Sequence, residues 1–306
     1  MRHISKIFLV LLLPLGVSCV HKPLTPEVPP VSKNGVLAVS FDWLDATGSP
    51  DPEQLLMYMY PQEGQPVVKR LSPQGESVKQ ESGSYDTFVL TPGNVWSLDS
   101  YKTATVSTLE VDVLSPLGLK AETAPEESVR AVPDPIWYAS ASPVVVPEGE
   151  KEASQVYKMK DAFIHFFVVF SKVKHTDQMV AASLALSGVS SGFRPGLGIP
   201  VDDAVTVPFK ASVAGGTVKG DALSFGHCAG NSAYPHTISL FLLFSDGSLK
   251  VFQKDVTDQV QGQKAEKNVY IYVDDEITTD VLMDFAISDA GTGIDPLQPG
   301  GHIDVS

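Results

Sequence analysis

The stretch Thr237-Ile238-Ser239-Leu240-Phe241-Leu242-Leu243-Phe244-Ser245-Asp246-Gly247-Ser248-Leu249-Lys250-Val251-Phe252 decides the fold class. Two apolar runs rich in β-branched and aromatic residues flank Asp246-Gly247, a pair that tolerates the positive φ values of a tight hairpin. Reading Asp-Gly as a two-residue type I′ loop sets Phe244 opposite Leu249, Leu242 opposite Val251 and Phe241 opposite Phe252. The unit is therefore an antiparallel hairpin, and the rest of the chain should supply further strands of the same kind.

Outward from the hairpin the same short strands recur. Downstream, Asn268–Val273 puts Tyr270 and Tyr272 on one face and Val269, Ile271 and Val273 on the other. Upstream lie Val205–Phe209, Val180–Leu186 and Phe163-Ile164-His165-Phe166-Phe167-Val168-Val169-Phe170, the last apolar on both faces, as expected of a central strand covered on both sides. Earlier still, Leu37, Val39, Phe41 and Trp43 alternate with polar residues. Leu55–Tyr60, Pro66–Leu71, Tyr85–Leu90, Val95–Leu98, Thr103–Val113 and Val144–Val146 follow, separated by Pro, Gly, Ser and Asp clusters. No segment carries a 3.6-residue apolar stripe over three turns. The fold class expected is all-β, two tandem antiparallel β-sandwiches, with domains at 35–150 and 151–287 divided at the polar run Pro147–Glu152, and a flexible tail at 288–306.

The N-terminus has its own logic. Arg2, His3 and Lys6 precede the apolar run Ile7–Leu13, and small residues lead through Leu15-Gly16-Val17-Ser18 to Cys19. This resembles the signal and lipobox of bacterial lipoproteins, in which cleavage before the cysteine leaves its thiol to carry lipid, palmitate among the acyl chains. It predicts a signal peptide at 1–18 and lipidation at Cys19. A plain cleaved signal with a chance cysteine and a membrane anchor are the alternatives, although the apolar core is short for a span of roughly 20 residues. Four prolines between His21 and Pro30 make 19–34 an extended tether.

Composition excludes several classes. Formal charge is −14 over 306 residues. Without Arg2 and Lys6 the mature chain carries 20 basic against 36 acidic residues. No basic stripe offsets that field, so no nucleic-acid partner is expected. With Cys19 lipidated, Cys228 has no partner for a disulfide.

Motifs that imitate chemistry lack its context. Gly188-Val189-Ser190-Ser191-Gly192 matches the nucleophile-elbow spacing, but the following Phe193-Arg194-Pro195-Gly196 cannot propagate the helix an elbow needs, so a glycine-rich loop is expected. His227-Cys228 and His236 do not complete a zinc set. His165 reads as a packed core histidine. Asp274-Asp275-Glu276 and Asp289–Asp295 are acidic turns far from EF-hand spacing, with calcium as the minor reading. No catalytic, cofactor-binding or metal residue is assigned. Among the aromatics, Trp43 falls on a core face; Trp137 and Tyr138, placed in a turn after Pro133-Asp134-Pro135, are the candidates for glycan stacking.

Trp137-Tyr138-Ala139-Ser140, Leu186-Ser187-Gly188, Ser224-Phe225-Gly226 and above all Phe244-Ser245-Asp246-Gly247 with Asp255-Val256-Thr257-Asp258-Gln259-Val260 resemble the Bacteroidales fimbrial-anchor lipoproteins over roughly residues 19–285. The resemblance implies two transthyretin-like sandwiches, no catalysis, no cofactor, outer-membrane anchoring and a role as anchor or accessory subunit of fimbriae. Fimbrial subunits would then be the partners, engaged through strand edges, and a carbohydrate-binding outer-membrane lipoprotein is the rival.

Overall fold

The computed structural model describes residues 33–48, 50–91, 95–97, 100–107, 109–110, 130–131, 135–149, 151–228, 234–278 and 283–284. The first unit contains β1 (Asn34–Asp42), β2 (Leu55–Pro61), β3 (Val67–Leu71), β4 (Glu76–Glu81), β5 (Gly83–Leu90), β6 (Val95–Ser97), β7 (Thr105–Ser107), β8 (Leu109–Glu110), β9 (Arg130–Ala131), β10 (Trp137–Val146), β11 (Glu152–Lys158) and β12 (Lys160–Asp161). The second contains β13 (Ile164–Phe170), β14 (Met179–Ser190), β15 (Gly192–Arg194), β16 (Ile199–Pro200), β17 (Ala204–Ala214), β18 (Thr217–Ser224), β19 (Thr237–Phe244), β20 (Leu249–Asp255), the helical turn α1 (Thr257–Gly262), β21 (Asn268–Val273) and β22 (Met283–Asp284). The chain is all-β, as the alternation requires.

In the first unit the sheet β11-β1-β4 packs on β12-β10-β5-β2-β3. Leu37 and Val39 of β1, Tyr157 of β11, and Leu55, Met57 and Met59 of β2 fill the space between them. The near-continuous apolar run of β2 has a physical reason: its sheet is covered on both faces. Tyr58 and Tyr60, with Phe88 and Leu90 of β5, point away from that core into a second one, where Phe193 and Phe225 of the second unit meet them. A small sheet, β16-β15-β7-β6, crosses the same junction.

The second unit is one eight-stranded sheet, β21-β13-β18-β17-β14-β19-β20-β22, folded over its own core. β17 turns the corner: Lys210 and the residues before it pair with β14, and Ala211 onward pairs with β18. Among the described strands two pairs run parallel, β1 with β11 and β13 with β21. Each parallel pair joins strands far apart in sequence, which local patterning does not reveal.

Several expectations are corrected. The residues from 151 to 161 belong to the first unit, where β11 pairs with β1 and β12 with Trp137 and Tyr138 of β10, so the handover lies at Ala162-Phe163 rather than at 150. Trp137 and Tyr138 open a strand, not a turn. Residues 188–190 continue β14 through a register shift between Leu186 and Val189; Gly188, at φ +78°, supplies the irregularity. The hairpin slips by one residue: Leu243 faces Leu249, Leu242 faces Lys250 and Phe241 faces Val251. Gly247 N–H donates to Phe244 O at 3.0 Å and Phe244 N–H to Ser248 O at 2.9 Å. Gly247 alone has positive φ, +84°, so the loop is a three-residue turn closed by a glycine bulge, not a type I′ turn.

Candidate functional site

Strand edges are the backbone groups a sheet leaves over, and the described edges of this protein differ sharply in what they offer. At β21 the edge is closed. The α1 turn begins where Asp255 Oδ1 accepts the Thr257 N–H at 2.9 Å, and Val256 and Val260 sink into the core. That rotation lays Gln259 and Gln263 along β21, where each amide imitates a strand: Gln259 bonds both backbone groups of Tyr272, and Gln263 both of Tyr270, at 2.8–3.0 Å. On the opposite side, β22 lies against Val251 and Lys250 of β20. In the first unit, β10 is broken by a register shift between Ala141 and Val144, and Pro143 there has no N–H to give. β3 is short and carries Lys69 and Arg70.

β11 is different. It pairs along seven residues with β1 on one side and ends its sheet on the other. Val36 N–H donates to Lys151 O, and Met159 N–H to Asp42 O, so the odd-numbered residues of this parallel ladder face β1. The N–H and C=O groups of Glu152, Ser154, Val156 and Lys158 therefore point to the open edge. Among them Val156 O takes a local bond from Gln155 Nε2 at 2.8 Å. Tyr157 anchors the strand from inside: it is 1% exposed, and its hydroxyl lies 2.6 Å from Thr87 Oγ1. Burial pushes that phenol up to about 12. Val156, 53% exposed, sits at the centre of the edge.

Beside β11 lies a groove of 520 Å³, bounded by Tyr138 and Ser140 of β10, Val156 and Lys158 of β11, Lys160, and the Leu197-Gly198 turn of the second unit. Tyr138 is fixed by an edge-on contact with Phe193, centroids 4.6 Å apart, and burial raises its phenol. Gly198 is at φ +69°, and a Cβ there would stand 2.9 Å from the Tyr138 hydroxyl, so the turn approaches only because residue 198 lacks a side chain. The units are tied nearby. Asp161, its side chain 1% exposed, accepts from Thr47 N and Oγ1 at 2.9 Å each and from Lys267 Nζ at 2.8 Å.

The residues singled out from sequence fall as follows. Cys19 lies outside the described residues, as do Asp289–Asp295, the expected signal, the expected tether up to residue 32 and the expected tail at 288–306. Trp137 is half-buried: Nε1 donates to Thr47 O at 3.3 Å, and its ring meets Phe163 edge-on at 5.9 Å. Tyr138 reaches the groove, whereas Trp137 packs toward the first core. Ser190 is fully buried, its hydroxyl within hydrogen-bond reach of Gly192 O at 2.9 Å and Val201 O at 2.8 Å; a strand follows it, so no elbow forms. Asp274, Asp275 and Glu276 go separate ways, to Ser171, Lys254 and Lys174, and no metal-binding group occurs among the described residues. His227 and His236 are buried 5.7 Å apart. His165 is not in the core. It lies half-exposed on the outer face of β13, ring to ring with Phe167, and only one face of that strand is covered. An alternating burial of the Phe163–Phe170 run was illegible because both faces are apolar.

The first two of the following solved structures share this architecture. A candidate adhesin from Bacteroides ovatus superposes with a TM-score of 0.63 at 18% identity, over 82% of this chain and 95% of that one. A candidate polysaccharide-binding protein from Bacteroides thetaiotaomicron does so with 0.51 at 10%, over 82% and 98%. The fimbrial anchor protein Mfa2 from Porphyromonas gingivalis gives 0.48 at 13%, over 78% and 90%. No curated protein matches the chain. The family described as "Domain of unknown function (DUF5119)" matches residues 18–210. That match spans more than half of the 306 residues, and the chain belongs to this family.

Proposed function

We propose that the protein is a non-enzymatic, lipid-anchored component of the cell envelope that serves as an anchor or accessory subunit of fimbriae, holding a partner by strand addition at β11. The observation that carries this reading is the seven-residue edge whose even-numbered backbone groups point away from β1, with Val156 and Lys158 lining a groove beside it. A partner strand laid there would gain main-chain hydrogen bonds from β11 and would cover Val156 and Leu197, which are exposed by 53% and 41%. Lys158 and Lys160 stand at one end of the groove in a chain of net charge −14, so an incoming strand with an acidic residue at that end fits best. The adhesin role described for the Bacteroides ovatus structure accords with this reading. Lipid at Cys19 supplies attachment to the outer membrane, because two or more acyl chains hold a protein there stably.

The test is genetic. Deleting the gene should leave fimbriae assembled but released, so that they move from the cell fraction to the medium. Cys19→Ser should abolish fatty-acid labelling of the protein and release fimbriae in the same way. Fimbriae that stay on cells in equal amount would contradict the anchor reading.

A further inference from the structure

The outer face of β13 and β21 carries a cluster of rings outside the hydrophobic core. Phe167 and Tyr270 stack with centroids 5.1 Å apart and planes 14° from parallel; His165 lies tilted by 37° against Phe167, centroids 4.0 Å apart. Tyr272 stands one step along the strand beside Val169, about 6.7 Å further by strand rise. Tyr270 and Tyr272 are 44% and 57% exposed, large values for aromatic side chains on a sheet face. Polar groups rim the rings. His165 Nε2 lies 3.0 Å from Asp221 Oδ2, the Asp221 side chain is 67% exposed, and Asn268 pairs beside His165. Lys219, two residues from Asp221 on the same face, offsets its charge.

We infer that this face is a second binding surface, whose ligand is a neutral glycan presenting a pyranose chain. A pyranose ring offers a face of polarised C–H bonds, which suits the electron-rich face of tyrosine, and a rim of hydroxyls, which need both donors and acceptors. Asp221 accepts, Asn268 does both, and the two phenols extend the set. Tyr270 and Tyr272, alternate residues of one strand, give successive stacking positions along an extended chain. The balanced charge of the patch within an acidic protein selects against anionic ligands. A partner strand is excluded at this edge, because Gln259 and Gln263 occupy the backbone groups of Tyr272 and Tyr270. The surface thus recognises through side chains, whereas β11 recognises through backbone, and the two proposals stand independently.

The experiment is affinity electrophoresis of the full chain, purified in detergent, through gels containing mannan, xylan or mixed-linkage β-glucan, with pectin as the anionic comparison. At least one neutral polysaccharide should retard the protein. Tyr270→Ala with Tyr272→Ala should weaken that retardation at least about tenfold, a loss of about 1.4 kcal/mol, since it removes both stacking rings. Tyr272→Phe, which keeps the ring, should retain most of it, and an unchanged melting curve separates lost stacking from lost fold. The proposal is overturned if no neutral polysaccharide retards the protein, if only pectin does, or if the double variant binds as well as the parent.

Discussion

Gln259 holds both backbone polar groups of Tyr272: its Nε2 donates to Tyr272 O at 3.0 Å, and its Oε1 accepts the Tyr272 N–H at 2.9 Å. A side-chain amide thus does along β21 what a ninth strand would do, and Gln263 repeats it one turn later at Tyr270. This arrangement protects one edge of the second unit against strand addition.

Replacing both amides should open that edge. Gln259→Leu with Gln263→Leu is expected to cost about 1–3 kcal/mol, for several partly exposed hydrogen bonds lost, and to promote self-association. Thermal unfolding and sedimentation velocity check the two effects. A double variant as stable and as monomeric as the parent would show that the clasp is ornamental.

Gly188 and Gly247 both have positive φ, +78° and +84°, but their surroundings differ. A Cβ at 247 would meet nothing within 4 Å, while one at 188 would lie 2.4 Å from Pro235 O. Gly247→Ala should therefore cost only the backbone strain, about 1 kcal/mol, and Gly188→Ala clearly more. Chemical denaturation of the two variants should rank them in that order.

The one-residue slip of the hairpin shows what sequence does and does not carry. Asp246-Gly247 announced a turn, and the strands on each side were legible from their apolar residues. The register was not, because it depends on Asp246 keeping negative φ. β4 and β11 escaped notice for a different reason. As edge strands they bury little: in β11 the inward residues are Ala153, Gln155 and Tyr157, a set with no apolar rhythm. Its partner β1 lies more than a hundred residues away in sequence, and the open edge is a property of that pairing. The ring stack was missed because His165 and Phe167 looked as buried as Phe166 and Val168.

His227 gives the protein an acid limit. Its ring is 7% exposed, and neither nitrogen has a partner among the described residues. Burial first, then the neighbouring His236 and Lys264, lower its pKa to about 4. A histidine depressed in the folded state stays neutral there while the unfolded chain, at about 6.5, takes up a proton. Stability is therefore complete above pH 6.5 and lost as pH falls toward 4, by up to about 3 kcal/mol. His227→Phe should flatten melting temperature against pH over that window; a slope equal to that of the parent would assign the acid sensitivity elsewhere.

Asp161 should prove a structural joint between the units. Asp161→Ala removes the acceptor of Thr47 and the partner of Lys267 together. A loss of about 2–4 kcal/mol is expected, because a buried carboxylate network leaves its donors unpaired. Lys267→Ala, at an ammonium half exposed to water, should cost less. Urea titration of both variants tests the ranking.

Strand capture at β11 is read most directly by placing a photo-crosslinking amino acid at position 156 of the full-length protein in intact fimbriated cells, with and without Ser154→Pro. The Ser154 N–H points to the open edge, so proline there removes a donor for a partner strand while leaving the ladder to β1 intact. Position 156 should form a covalent adduct with a fimbrial subunit, the exposed position 180 of the second unit should form none, and Ser154→Pro should lose the adduct at unchanged melting temperature. No adduct at 156, or one that Ser154→Pro leaves intact, would contradict strand capture at β11.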